Sequence, residues 1–295
     1  MPSTRELKLR INSVSDTKKI TNAMYLIAST KMKKAKENLV NTYPYFTAIR
    51  REIKRILRTV KEADSKYFYP VNYEETNKGT YGIVIITSDK GLAGAYNSNV
   101  IKEALKLIND HDDYKLFVIG NYGKNYFSRH GYEIEDFDYS PEDPTIDEAR
   151  DITAELLDKY DKGKISKLFI IYSNLINSFS VETMSMRILP FHRHYFDDKK
   201  ADEEKAIKNR IEFYPSLNDV IDSLIESYVA GIFYGALVDS FSSEENSRMN
   251  AMSTANKNAD ELIEDLSREY NKIRQMKITE EIIEISAGAK ALKRE

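Results

Sequence analysis

The sequence predicts an α/β protein. Both ends of the chain form a long antiparallel two-helix coiled coil, and a Rossmann-like, mostly parallel sheet domain is inserted between them. Three observations carry this. Residues 216 to 291 contain no Pro and only three Gly (Gly231, Gly235, Gly288). Residues 3 to 43 contain neither Gly nor Pro. Between these stretches, short continuous apolar runs alternate with amphipathic ones, the pattern of strands and crossover helices.

The C-terminal stretch holds a seven-residue series, Met252, Ala259, Leu266 and Ile273, with Ala255 and Leu262 three residues on. That spacing marks a coiled-coil seam, made narrow by its alanines. Lys257, Asp260, Glu261, Glu264, Asp265, Arg268 and Glu269 charge the flanks. Unbroken, such a helix spans roughly 110 Å at its rise per residue, so it needs a partner helix rather than a compact core. The N-terminus supplies one, with Leu7, Ile11, Val14, Thr21, Met24, Ala28, Ala35 and Leu39 at three- and four-residue steps or their sums. Ser3 and Thr4 suit its start. The pattern resumes after Pro44 with Ile49, Ile53, Ile56, Leu57 and Val60, and Pro44 is expected to kink or interrupt the helix because it lacks a donor.

A soft linker is expected from Ala63 to Gly79. Then Gly82 to Thr87 is a continuous apolar run, a strand buried on both faces. Asn97 to Asn109 follows as a helix, Lys115 to Gly120 as a second strand, and Tyr122 to His130 as a short helix. Tyr132 to Asp138 reads as a third strand, Thr145 to Tyr160 as a helix, and Lys167 to Ser173 as a fourth strand. Met184, Met186 and Ile188 alternate with polar residues in an edge strand ended by Pro190. Asp197 to Lys205 is a charged loop. The domain boundaries expected from this are 1–75 for the first helix and linker, 76–200 for the α/β domain, and 201–295 for the loop and last helix.

Charge is uneven. Residues 1 to 61 hold fifteen Lys or Arg against four Asp or Glu, a balance of +11 in a chain whose net charge is −3. A basic helix beside an acidic remainder points to charged partners. No run of eighteen apolar residues suggests a membrane span, and no apolar signal core opens the chain, so a cytoplasmic location without membrane insertion is expected. The absence of Cys excludes disulfides, thiolate metal sites and a Cys nucleophile.

Candidate sites each have a plain structural alternative. Ser88 to Gly94 follows the first strand and opens a helix, where doubly wound folds hold phosphate. Its glycines, Gly91 and Gly94, are only three apart, no acidic residue stands where a ribose would need one, and no P-loop pattern occurs. A structural turn built on Asp89, Gly91 and Gly94 is the favoured reading, and no nucleotide or other cofactor is expected. On a strand, His192 and His194 would share a face near Asp197 and Asp198, but a third ligand at defined spacing is lacking, so surface histidines near a chain turn are favoured over a metal pair. Lys31, Lys33, Lys34 and Lys36 make a basic run on the first helix, suited to a phosphate backbone, an anionic lipid or an acidic protein surface. Stacking aromatics are not interleaved with it, which disfavours nucleic acid.

Several segments, in order along the whole chain, resemble the gamma subunit of F-type ATP synthase. They are Lys18 to Met24 (KKITNAM) with Ala28 to Lys34 (ASTKMKK), then Ile86 to Gly94 (ITSDKGLAG) with Tyr96 to Asn99. Near the end come Ser247 to Met252 (SRMNAM), Tyr270 to Glu281 (YNKIRQMKITEE) and Glu284 to Ala289. Ala93, Ala95 and Met276 depart from the family's usual residues. The resemblance implies a rotary central stalk. Its coiled coil would thread a hexamer of alpha and beta subunits, and its α/β domain would touch epsilon and the membrane c-ring, at the cytoplasmic face of a bacterial cell membrane. Catalysis would lie on beta. By the same resemblance Met24, Lys31, Lys33, Lys34, Arg248, Arg274, Gln275 and Thr279 would meet the hexamer. From the residues alone two alternatives stand: a cytoplasmic coiled-coil scaffold binding an anionic partner through its basic helix, and a Rossmann-type enzyme with helical arms.

Overall fold

The computed structural model describes residues 3–59, 65–69, 79–177, 180–196 and 213–292. In chain order the elements are α1 (Thr4–Thr59), β1 (Tyr81–Ile86), α2 (Tyr96–Asn109), β2 (Tyr114–Ile119), α3 (Asn121–Arg129), α4 (Ile146–Asp161), β3 (Lys167–Asn177), β4 (Ser180–Leu189), a 3-10 turn at Arg193–Phe196, and α5 (Leu217–Leu292). They form two compact units. One comprises the chain up to Ala28 and from Arg248 onward; the other is Ser29–Ser247.

The second unit contains a four-stranded sheet of order β2-β1-β3-β4. β1 runs parallel to β2 and β3, and β4 pairs antiparallel with β3 at the edge. The apolar run of β1 is explained by burial on both faces. Val84 and Ile86 join Phe117, Ile119, Leu168 and Ile170 on one face, covered by α4 and by stretches of α1 and α5. Ile83 and Ile85 join Leu116, Val118 and Ile171 on the other, against Val100, Ala104 and Ile108 of α2. Those three sit at four-residue steps, hence on one helix face. Each such side chain removed from water contributes about 1.5–3 kcal/mol. α4 starts where Thr145 caps it, its Oγ1 accepting from the Glu148 amide at 3.2 Å. In α5 the buried Ile221, Ile225, Val229, Phe233, Leu237 and Phe241 form the stripe that enters this core.

Several expectations are corrected. α1 is not interrupted at Pro44, which lies inside one continuous helix. Burial of Ile49, Ile53 and Ile56 beyond the proline holds the helix together despite the lost hydrogen bond. Residues 132–138 form no strand. Only Ile134 bridges to Leu116, the Glu135 amide donating to the Leu116 carbonyl at 2.9 Å. Glu135 meets Lys115 at 2.7 Å and Phe137 turns under the sheet against Phe117, so the segment is held by side chains rather than by a ladder. The linker is not soft at Tyr67, Phe68 and Tyr69, all buried, with Phe68 bridged to Phe191. Residues 60–64 and 70–78 and the charged loop lie outside the described residues. Finally, α5 does contain a window apolar enough to cross a bilayer, of mean hydropathy 1.3, but half of it is buried inside the protein. Its apolarity is that of a core helix.

In the first unit, α1 and α5 pair antiparallel. Lys18 meets Asp260, and the Thr21 hydroxyl donates to Asn256 Oδ1. From α1 the seam takes Leu7, Ile11, Val14, Thr21 and Ala28, as expected. From α5 it takes Met252, Ala259, Leu266 and Ile273, but the companion series is Asn256, Ile263 and Tyr270, four residues on. Ala255 is half-buried at its border, and Leu262 is 46% exposed. A step of three would continue to Glu269, whereas a step of four keeps apolar or pairable groups inward.

Candidate functional site

The turn after β1 is filled by its own chain. Ser88 donates its amide to Asn97 Oδ1 at 3.0 Å and its hydroxyl to the Lys90 carbonyl at 2.7 Å, and Asn97 Nδ2 donates back to Ser88 Oγ at 2.7 Å. Asp89 Oδ1 accepts from the amide and the side-chain nitrogen of Asn121, each at 2.9 Å, tying the turn to the start of α3. Gly94 has φ +56°, a conformation that glycine adopts without strain. Gly91 has open space around it. The Ser88 amide and hydroxyl and the Asn97 side chain are thereby committed within the turn. His192 and His194 stack ring on ring at 5.0 Å, and His192 lies against Tyr69 at 4.5 Å. No cluster of three metal-ligating side chains occurs among the described residues. Asp197 and Asp198 lie outside them.

The basic run divides into engaged and open positions. Lys31 Nζ is 3.8 Å from Glu142 Oε2 and lies over the Phe241 ring at 5.8 Å. Lys90 takes the other Glu142 oxygen at 2.7 Å. Lys33 reaches Glu37 at 3.9 Å across one exposed helical turn, and Lys34 and Lys36 are exposed. Lys31 therefore serves this unit's own packing, while Lys33, Lys34 and Lys36 face outward. Met24 is half-buried in its unit and Arg248 is buried.

Arg274, Gln275 and Thr279 are exposed, as is every residue from 274 to 287. The pairing register explains this: it brings the start of α1 level with about Ile273, so α5 continues without a cover from this chain. The Thr279 hydroxyl donates to the Gln275 carbonyl at 2.9 Å, leaving the Arg274 fork and the Gln275 amide as the outward groups. Ile278, Ile282 and Ile285 are 46%, 58% and 72% exposed at helical spacing, an apolar stripe beside those polar groups. Sequence reasoning missed this stripe as a partner surface, although its spacing was readable.

Sequence reasoning also missed a polar run inside α5. Ser240, Ser242, Ser243, Glu244, Glu245 and Asn246 are all buried. Ser240 Oγ accepts from the Ser173 amide at 3.2 Å and Ser243 Oγ donates to the Ser173 carbonyl at 3.1 Å, clamping β3 to the helix. Asp239, one residue before this run, has its carboxyl pushed up to about 6 by burial, partly opposed by Lys36. A charged residue on an otherwise apolar helix face was the available signal.

A paired-helix scaffold carrying an α/β domain is the class these features define. The family model described as ATP synthase matches residues 3–292. The ATP synthase gamma chain of Ruminiclostridium cellulolyticum is 40% identical over 291 residues, covering 98% of each chain. That of Acetivibrio thermocellus is 38% identical over 297 residues, covering 99% of this chain and 100% of the relative. Among solved structures, a chain of the central stalk and c-ring of Tetrahymena thermophila mitochondrial ATP synthase matches with TM-score 0.57 at 23% identity, over 80% of this chain and 99% of that one. A chain of the Euglena gracilis mitochondrial ATP synthase rotor matches with TM-score 0.60 at 14% identity, over 93% and 98%. The chain belongs to the ATP synthase gamma chain family.

Proposed function

We propose that this chain is the central-stalk, or rotor, subunit of an F-type ATP synthase, coupling ion flow through the c-ring to conformational cycling of the catalytic beta subunits. The observation that carries the reading is the uncovered end of α5. An exposed helix of apolar stripe and polar fork, in a chain matched end to end by gamma chains, is suited to a surrounding sleeve of alpha and beta subunits. Arg274, Gln275 and Thr279 would touch that sleeve, as would the outward Lys33 and Lys34 and the half-buried Met24. The α/β domain would meet epsilon and the c-ring, at the cytoplasmic face of the membrane. In this reading bond chemistry takes place on the beta subunits, and this chain transmits the conformational change. One asymmetric shaft contacts three beta subunits differently, so each has its own conformational populations and nucleotide affinity, and rotation exchanges them.

The lack of Cys gives a clean test. Lys33→Cys in the full chain would be labelled with a cleavable photo-crosslinker in the assembled complex. Crosslinking to an alpha or beta chain is expected to stop ATP hydrolysis, and cleavage to restore it. Turnover at the uncrosslinked rate would refute a rotor. Affinity purification from cells is expected to bring alpha and beta chains; bound nucleic acid in their place would favour a scaffold on an anionic partner.

A further inference from the structure

An open cleft of about 400 Å³ lies in the Ser29–Ser247 unit, a size within the usual range for small-ligand sites. α1 contributes Phe46 and Arg50, β3 contributes Tyr172, and α5 contributes Tyr228, Gly231, Gly235 and Asp239. The last three follow at four-residue steps and so share one helix face. The two glycines differ. A Cβ at Gly231 would lie 2.3 Å from the Phe46 ring, so packing requires that glycine. A Cβ at Gly235 would meet nothing within 4 Å. The protein's own packing gives no reason for a helix-interior glycine there, and its effect is to keep the cleft open.

Asp239 forms no hydrogen bond or ion pair among the described residues, although much of it is out of water. A carboxylate so placed without a donor is costly. The charged and titratable groups around it are few. Arg50 lines the same cleft but is engaged by other groups: its Nη2 donates to the Tyr195 carbonyl at 3.3 Å, its guanidinium lies over the Tyr195 ring, and it acts on the Tyr228 phenol. Lys36 acts on Asp239 electrostatically from an exposed position on α1, and the phenols of Tyr43, Tyr172 and Tyr228 complete the cleft wall.

We propose that this cleft binds an organic cation, a protonated amine or guanidinium that donates to the Asp239 carboxylate while its carbon frame lies along Gly235 and the rings of Tyr172 and Tyr228. Aromatic faces attract such cations, and the glycine gives the frame its room. The group could belong to a free metabolite or to a lysine or arginine side chain of a partner subunit.

The probe is benzylammonium, titrated into the full-length chain by ligand-observed NMR, with benzyl alcohol as the uncharged control. Binding is expected at pH 8 for the amine and not for the alcohol. It should weaken about tenfold at pH 5, where a carboxyl titrating near pH 6 is mostly protonated. Asp239→Asn and Gly235→Leu should each weaken it at least tenfold, with circular dichroism confirming an unchanged fold. Equal affinity in Asp239→Asn, equal binding of the alcohol, or no binding of the amine by wild type would overturn the proposal. Retention of the probe by the assembled complex identifies a free ligand as the occupant. Its exclusion there, with binding kept by the isolated chain, identifies a partner's side chain.

Discussion

Two glycines four residues apart carry opposite consequences. Gly231→Ala drives a methyl into Phe46 at 2.3 Å and is expected to destabilise the chain by about 1–3 kcal/mol, the usual cost of overpacking. Gly235→Ala enters open space and is expected to stabilise it by about 0.5–1 kcal/mol, by restricting the unfolded backbone. Thermal denaturation of the two variants side by side checks both signs. Asp239 supplies the pH dependence. Its folded carboxyl titrates near 6, above the ordinary 3.8, so the folded state holds that proton more tightly than the unfolded state. The cost of the buried charge is fully present above about pH 6 and is relieved as pH falls toward 4. Its upper limit is roughly 3 kcal/mol. Asp239→Asn is therefore expected to be the more stable protein in urea at pH 8, with the advantage shrinking at pH 5. An advantage independent of pH would mean that the carboxyl is not the cause.

At the scale of elements, strands and helices with strong periodicity were legible, because burial on two faces leaves a continuous apolar run and burial on one leaves a stripe. β1, β2, α2 and α4 lie within two residues of their expected bounds. What could not be read depended on partners distant in sequence. Residues 132–138 have strand-like alternation, but Lys115 and Phe117 hold them by side chains instead. Pro44 is carried through because α1 is buried beyond it, a fact no local window contains. The seam of α5 was legible in one series and misread in the other, since Leu262 and Ile263 adjoin and only the partner helix decides between them. That seam is thin: Ala28 and Ala259 are small, and Thr21 faces Asn256. Long helices take most of their stability from burial of an apolar face. Amide exchange in the isolated chain is thus expected to be faster over residues 4–28 and 248–287 than over β1, β2 and β3, by about 10-fold or more where the opening free energies differ by 1.4 kcal/mol. Uniform protection across both sets would show that the helix pair is stable without partners.

For the whole molecule, folding and function separate along α5. Up to Ile273 its side chains are drawn into this chain's own packing; from 274 to 287 they are not. Among the exposed groups, Arg274 presents a planar fork of donors and Gln275 an amide, while Thr279 spends its hydroxyl on the Gln275 carbonyl. Replacing all three by Ala removes no buried contact, and alanine is the best helix former. The purified triple variant is therefore expected to match wild type in circular dichroism and to change in stability by no more than about 0.5 kcal/mol, as surface substitutions do. Within the proposed synthase the outcome differs. A hydrogen bond to a charged group contributes about 1.5–3 kcal/mol, so losing one or two that form only at certain shaft angles alters the depth of those dwells. ATPase activity of the assembled complex should change several-fold, with altered cooperativity between nucleotide sites. Wild-type turnover by a complex that contains the variant would reduce these residues to a solvated helix face and leave the apolar stripe of Ile278, Ile282 and Ile285 as the surface its partners grip.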